Sequence, residues 1–526
     1  MNAPARRAGM LVPLFSFPSS SSWGIGDIGD VAPMAAWLEG AGQRLLQLLP
    51  LNEMAAGQQS PYSAMSAMAI DPIFIRLQDV PEFGAGGGES SLGADDREIL
   101  KAVRGSPRVE YAAVRKLKLA ALTAAFERFH RDEWERGTVR AAVLAAFVSD
   151  QRWWLDDYAL YRALHARDDG LPWTGWPAAL SRRDPDAMEN ARRELWKRIL
   201  LFQYLQWLAD AQWRAARAAA RARGVALFGD LPFMVDLDSA DVWSRQNQFR
   251  LDVSVGAPPD AFSAEGQDWG MPACDWPAMA ADGFAWLRAR ARRSADLFDG
   301  CRVDHLVGFY RTYGRPRAGG APFFSPSDEG EQVRLGEEVL GVLAEPAVEI
   351  VAEDLGIIPD YVRASLGRLG VPGFRVLRWE REWHSPGQPF RNPPSYPALS
   401  VATSGTHDTE PMAVWWERAP EEERRQVSGL PIVQKLTAGE GLLGAPYDPT
   451  VRDALLEALF ASGSAILLNV IQDVFGWRDR INEPATIDDR NWTFRLPWPS
   501  DRLGEIAEAR ERQQRLREWS QKYGRV

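Results

Sequence analysis

Seven short apolar runs with strand character punctuate this chain, at 44–49, 225–228, 300–303, 349–352, 374–377, 399–403 and 465–471. Five of them are followed within a few residues by a carboxylate: Asp230, Asp304, Glu353, Asp408 and Asp473. Buried strands separated by helical patterns, with acidic side chains just past their C-terminal ends, describe the catalytic face of a closed parallel barrel. The predicted fold is α/β, a (β/α)8 TIM barrel with helical insertions between barrel strands. A doubly wound open sheet also carries function at its strand ends and is the rival architecture.

The chain has 526 residues, 46% hydrophobic and 25% charged, enough to bury a large core. Its formal charge of −10 opposes the counterion release that nucleic-acid binding requires and points to neutral or weakly charged substrates. Two cysteines, Cys274 and Cys301, are too few for a disulfide framework and lack the paired spacing of a zinc site, so a reducing, cytoplasmic setting is expected. The opening MNAPARRAGMLVPLF offers two arginines and a short apolar run, but Pro13 interrupts it before an export signal could form. No uninterrupted apolar stretch is long enough for a membrane span. Twenty-two tryptophans suit helix packing, and they also suit a site where flat aromatic faces meet the apolar faces of sugar rings.

Between the first two runs the pattern turns helical. Leu195, Ile199, Phe202, Leu205 and Leu208 recur at helical spacing, and Arg214, Arg217 and Arg221 line another face that reads as solvated. The segment GAGGGESSLG at 84–93 reads as a flexible linker, and the Gly/Pro-rich patches at 317–322 and 384–397 as surface loops. Three segments follow: 1–83 begins the catalytic barrel with its first substrate loop, 84–223 is a mostly helical insertion, and 224–526 completes the barrel. Gly24, Gly26 and Gly29 satisfy the dinucleotide fingerprint, but no buried strand precedes them and Asp27 would sit where a pyrophosphate should.

A barrel mouth holding several carboxylates, without a cysteine nucleophile, favours glycosyl transfer or hydrolysis. One carboxylic acid protonates the leaving oxygen while a second carboxylate attacks or stabilises the sugar carbon. Metal-assisted hydrolysis is the competing chemistry, but the five histidines form no HxH or HxxxH pair.

The motifs FPSSSSWGIGDIGD, SPYSAMSAMAIDP, WLDDYALYRAL, FQYLQWLADAQW, FGDLPFMVDLDSADVW, APPDAFSAEGQDWG, RVDHLVGFY, VAEDLG, SGTHDTEP and RINEPAT occur in this order, the last just before Asn491 and Trp492. Together they resemble the amylomaltases, or 4-α-glucanotransferases, nearly end to end. The resemblance implies a retaining enzyme that moves α-1,4-glucan segments between chains through a covalent glucosyl-enzyme. It makes Asp304 the nucleophile, with Arg302 positioned to pair with it, and Glu353 the general acid and then base. Asp408 would hold the hydroxyls of the sugar at the cleavage point, with His305 and His407 as further hydrogen-bonding partners and Asp230 as support. Tyr62, Phe262 and Trp269 match positions lining the groove. The two carboxyl groups of a retaining pair lie about 5–5.5 Å apart. The implied partners are an α-1,4-glucan donor and a glucose or maltooligosaccharide acceptor, with no cofactor, metal, nucleic acid or membrane; monomer and homodimer are both open. The alternatives are an α-glucan hydrolase or altered-acceptor transglycosylase on the same fold, and a non-catalytic glucan-binding protein.

This chain departs from the family pattern at positions expected near substrate. Ala261 stands where Tyr is usual, Val307 where Arg is usual, Thr409 for Asn and Gln59 for Asp, and the stretch between Leu251 and Ala257 looks short.

Overall fold

The computed structural model describes residues 5–259, 265–486 and 488–526. Among them the strands are β1 (Arg7–Leu11), β2 (Leu45–Gln47), β3 (Ala226–Leu231), β4 (Phe249–Ala257), β5 (Gln267–Cys274), β6 (Gly300–Val303), β7 (Thr312–Pro316), β8 (Phe323–Ser325), β9 (Glu349–Ala352), β10 (Gly373–Val376), β11 (Ser400–Thr403) and β12 (Ile466–Val470). Eight of these close into a parallel barrel in the order β1-β2-β3-β6-β9-β10-β11-β12, with β12 pairing back onto β1. The closed parallel barrel is the predicted architecture, and the open doubly wound sheet is excluded.

Inside the barrel, Leu45, Phe228, Val351, Phe374, Val401, Ile466 and Leu468 form one buried cluster. Branched and aromatic side chains from alternate positions therefore fill the interior as a packed core rather than a pore. Gly300 has to be small there, since a Cβ on it would come within 2.4 Å of the Phe228 ring. The outward-facing residues of the same strands join the larger cluster shared with the helices. Being buried on both faces, these strands are rich in apolar residues, which is why seven of the eight are visible in the sequence.

The eighth, β1, is a correction. Its five residues begin on an arginine and stop just short of Pro13, and on sequence alone they resemble a truncated export signal rather than a strand. In the structure Met10 pairs in register with Leu46 on one side and Asn469 on the other. Arg7 at its start meets Glu349 of β9 at 2.5 Å, at the end of the barrel remote from the strand C-termini.

The connection from β2 to β3 is largely helical, with long helices Tyr111–Phe129, Val139–Arg167 and Trp196–Ala222. The second starts where the Thr138 hydroxyl accepts the Ala141 amide. The third buries Leu200, Leu205, Leu208, Trp213, Ala216 and Ala220. Its arginine face is not simply solvated. Arg217 is 13% exposed and, with Arg221, grips Asp299 at the turn into β6, while Arg214 pairs with buried Asp210. The segment at 84–93 is likewise no free linker. It contains a short 3-10 helix, Gly88–Ser91, whose Glu89 accepts from the Trp23 indole at 2.9 Å and pairs with Arg104 at 2.5 Å. The three glycines of the fingerprint decoy serve packing: Asp27 caps the turn Ile28–Asp30, and a Cβ at Gly26 would lie 1.9 Å from the Leu14 carbonyl oxygen.

A four-stranded antiparallel sheet, in the order β5-β4-β7-β8, stands beside the barrel mouth. It supplies one wall of the cavity described next.

Candidate active site

The C-terminal ends of β3, β6 and β9 are adjacent, and their ladders run one residue beyond the strands. The Asp304 amide donates to the Leu231 carbonyl at 3.1 Å and the Glu353 amide to the Val303 carbonyl at 3.0 Å. Both carboxylates are thus fixed at their backbones on neighbouring strands, immediately after the registered pair Val303 and Ala352.

Beneath them lies a buried charge cluster. Arg302 donates to both oxygens of Asp230 at 2.8 Å and reaches Asp304 Oδ1 at 2.9 Å. Tyr62 donates its hydroxyl to Asp230 Oδ2 at 2.7 Å, and burial pushes its own pKa well above the usual phenol value. The Asp230 side chain is fully buried and that of Arg302 is 5% exposed. Arg302→Met would strand Asp230 without its counter-charge, and breaking a buried pair in this way costs about 3–5 kcal/mol. We expect that loss in unfolding free energy by urea titration; an unchanged midpoint would show the cluster to be dispensable for stability.

Glu353 experiences opposed influences. Burial raises its pKa, Arg302 lowers it, Asp304 raises it again, and the Leu355 amide lowers it; the balance is about 7. Its two oxygens are held by separate amides, Oε2 by His305 at 3.0 Å and Oε1 by Leu355 at 2.9 Å. His305 adopts φ +44°, a left-handed conformation that is unusual for a histidine and that aims its amide at Glu353. Burial lowers the His305 imidazole pKa to about 4, so the ring is neutral near pH 7; it packs edge-on to Trp269, with ring centres 4.8 Å apart.

Opposite these groups, a loop after β11 presents His407 and Asp408. Removal from bulk water favours the neutral acid at Asp408, but the neighbouring His407 and the hydrogen bonds from His407 and Asn482 outweigh it, giving a pKa of about 2. His407 Nε2 lies 3.0 Å from Asp408 Oδ2 and Asn482 Nδ2 donates to Asp408 Oδ1 at 2.6 Å. Arg480 donates to the Asp408 carbonyl at 2.7 Å, and the Asn482 amide to the His407 carbonyl at 3.1 Å. The segment 480–482 therefore clamps this loop at two carbonyls and one carboxylate. Tyr62 stacks on His407 at 5.1 Å, and Trp492 leans on both at 5.7 Å.

These groups surround a cavity of about 450 Å³, within the range of small-molecule sites. Nine of the ten residues singled out from the sequence converge here: Tyr62, Trp269, Arg302, Asp304, His305, Glu353, His407 and Asp408 line the cavity, and Asp230 sits under it, bonded to Tyr62 and Arg302. Phe262 and the departure at Ala261 lie outside the described residues. Sequence reasoning gave no role to Asn482, Arg480, Trp492 or Trp379, the last a further residue lining the cavity. For the first three the available signal was the RINEPAT motif and the Asn491–Trp492 pair, matched as pattern without a function. Of the departures, Val307 lines the cavity. Thr409 instead bonds within its own turn, exchanging hydrogen bonds with the Thr406 amide and carbonyl at 3.0 Å, and Gln59 is exposed beside Ser60, which lines the cavity while Gln59 does not. Among the described residues no group of three or more His, Cys, Asp or Glu side chains is placed to hold a metal ion, and no helix is long and apolar enough to cross a membrane.

A closed eight-stranded parallel barrel with this acid, carboxylate and guanidinium set at its C-terminal mouth defines a (β/α)8-barrel enzyme. Comparison with known proteins makes the class specific. The chain belongs to the 4-alpha-glucanotransferase family, whose model matches residues 12–500. It is 32% identical to a 4-alpha-glucanotransferase of Thermus thermophilus over 527 residues, covering 96% of this chain and 99% of that one. It is 31% identical to one of Chlamydia pneumoniae over 501 residues, covering 93% and 91%. Its fold is similar to that of the amylomaltase from Streptococcus agalactiae in complex with acarbose, with a TM-score of 0.82, 24% identity and 99% of each chain covered.

Proposed function

We propose that this enzyme is a retaining 4-α-glucanotransferase that transfers α-1,4-glucan segments between maltooligosaccharides or starch- and glycogen-like glucans. The observation that carries the mechanism is the different setting of two carboxyl groups on adjacent strands. Asp304 is ion-paired to Arg302, whereas Glu353 has a pKa of about 7 and holds its proton into the neutral range. A carboxylic acid that keeps its proton, beside a carboxylate paired to an arginine, is the combination of acid and nucleophile that a glycosidase-type site requires. Neighbouring strands lie about 4.8 Å apart, which supports the short carboxyl separation of a retaining enzyme over the wider one of an inverting enzyme.

In this reading Glu353 protonates the bridging oxygen as Asp304 Oδ attacks C1, giving a glucosyl ester on Asp304 and releasing the leaving chain. Glu353, now a carboxylate, takes the proton from the 4-hydroxyl of an incoming glucan, whose oxygen displaces Asp304 from C1. Two inversions give retention. Asp408, ionised at every working pH, accepts from hydroxyls of the sugar at C1, and these bonds strengthen as positive charge develops on the ring. Tyr62, His407 and Trp492 wall that sugar, with Trp269 toward the groove. No cofactor enters the scheme. A reducing, cytoplasmic setting is part of the proposal and is supported by two unpaired buried cysteines.

Asn482→Ala removes one charge-assisted bond to Asp408, a type of contact worth about 1.5–3 kcal/mol. We expect kcat to fall roughly ten- to a hundredfold with the thermal midpoint little changed; wild-type turnover in a folded Asn482→Ala variant would remove Asn482 from this role. The proposal as a whole is tested by incubating the protein with maltotriose and resolving products by chain length. Glucose together with longer oligosaccharides is the expected result. Glucose and maltose alone would make the enzyme a hydrolase, and no change would overturn the reading.

A further inference from the structure

The wall of the cavity on the Glu353 side has a composition that the transfer reaction alone does not require. Because Glu353 protonates the departing chain and later deprotonates the acceptor, the acceptor lies on its flank, away from the pocket of Asp408, His407 and Trp492. The segment leaving Glu353 contributes Leu355, Ile357 and Ile358 to the cavity lining, and Val307 lines the same cavity. Ile357 is 68% exposed, and among the described residues it is the one strongly exposed large apolar side chain that lines the catalytic cavity. Phe324 lines the same cavity, with the Arg311 guanidinium stacked over its ring at 4.4 Å and Tyr313 beside it at 5.2 Å.

A second glucose unit placed against this wall packs its C–H face on Ile357, Ile358 and Val307, which offer its hydroxyl groups no hydrogen bond and leave them to water. An apolar group in the same place would cover exposed aliphatic surface and leave no polar atom unpaired. We propose that the enzyme accepts α-glucosides with an aryl or alkyl aglycone in preference to those whose C1 substituent is small, with Ile357 as the residue that sets this preference. The inference rests on the proposed transfer reaction. The acceptor's sugar ring presents its 4-hydroxyl to Glu353, which takes the proton. The hydroxyl oxygen bonds to C1 of the glucosyl ester as the C1–Asp304 bond breaks, its electron pair returning to the carboxylate. The aglycone on the acceptor's own C1 then lies along the 355–358 wall.

The test uses the full-length protein with a maltodextrin donor and three acceptors: phenyl α-glucoside, methyl α-glucoside and maltose. The acceptor concentration giving half-maximal transfer is read from product formation. Phenyl α-glucoside should saturate at a concentration at least fivefold below methyl α-glucoside and no higher than maltose. Ile357→Ser should narrow the phenyl-to-methyl ratio to less than twofold. Equal values for phenyl and methyl glucosides, clear preference for maltose over the phenyl compound, or a ratio untouched by Ile357→Ser and equally untouched by Val307→Ser would each overturn the inference while leaving the transferase reading intact. Failure of the same preparation to lengthen maltotriose would overturn both.

Discussion

Asp304→Asn is expected to lower kcat for maltotriose conversion by about four orders of magnitude or more, the scale on which removing a covalent nucleophile acts. The amide has the shape of the carboxylate and can still accept from Arg302, so the native fold and its thermal midpoint should be kept. What disappears is the negative oxygen that attacks C1 and, with it, the ester that stores the glucosyl group. A variant that folds normally and retains more than about a tenth of wild-type turnover, one decade being about 1.4 kcal/mol of barrier, would assign the nucleophile elsewhere.

Glu353→Gln should cost about 10²–10⁴-fold in kcat on natural glucans, the usual contribution of a positioned acid–base group. The loss should shrink sharply in the first step for an α-glucosyl fluoride, whose leaving group needs no proton. The pH profile carries the same prediction with a defined sign. Glu353 must start protonated, and its pKa stands at about 7. For wild type, kcat/KM with maltotriose should therefore decline as pH rises through about 7, and in the Gln variant this basic limb should vanish. Asp408, with a pKa of about 2, stays ionised throughout and contributes no limb in the working range. A basic limb that survives in Glu353→Gln would transfer the acid role to another group.

Most of the barrel could be read from sequence because a parallel strand buried on both faces is rich in apolar residues, and seven such runs bound it although Arg302 and Arg375 interrupt two of them. β1 escaped because Arg7 opens it and Pro13 follows soon after, so periodicity alone had too little to work on; the pairing with β2 and β12 that makes it a strand is a tertiary fact. Asp304 and Glu353 were visible for a geometric reason, since each directly follows a strand and a barrel turns every such position toward its mouth. The clamp on Asp408 was not visible. Asn482 is 74 residues further along the chain and Arg480 bonds to a backbone carbonyl, so neither contact leaves a trace in local pattern. The left-handed backbone of His305 was equally hidden, because histidine does not announce such a conformation as glycine would. The arginine face of the helix Trp196–Ala222 shows the opposite error: polar spacing suggested solvent where the structure has Arg217 gripping Asp299.

The central claim is that a glucosyl group is carried on Asp304. An activated donor lets the first step proceed without an acid, whereas loss of the base at Glu353 slows release to an acceptor, so the intermediate should accumulate in Glu353→Gln. The decisive measurement is mass spectrometry of that variant after brief exposure to α-maltotriosyl fluoride, followed by peptide mapping. The account predicts one added glycosyl chain, located on the peptide containing Asp304 and absent from Asp304→Asn/Glu353→Gln. An adduct on any other residue, or continued turnover of the fluoride at the wild-type rate with no covalent species, would contradict it.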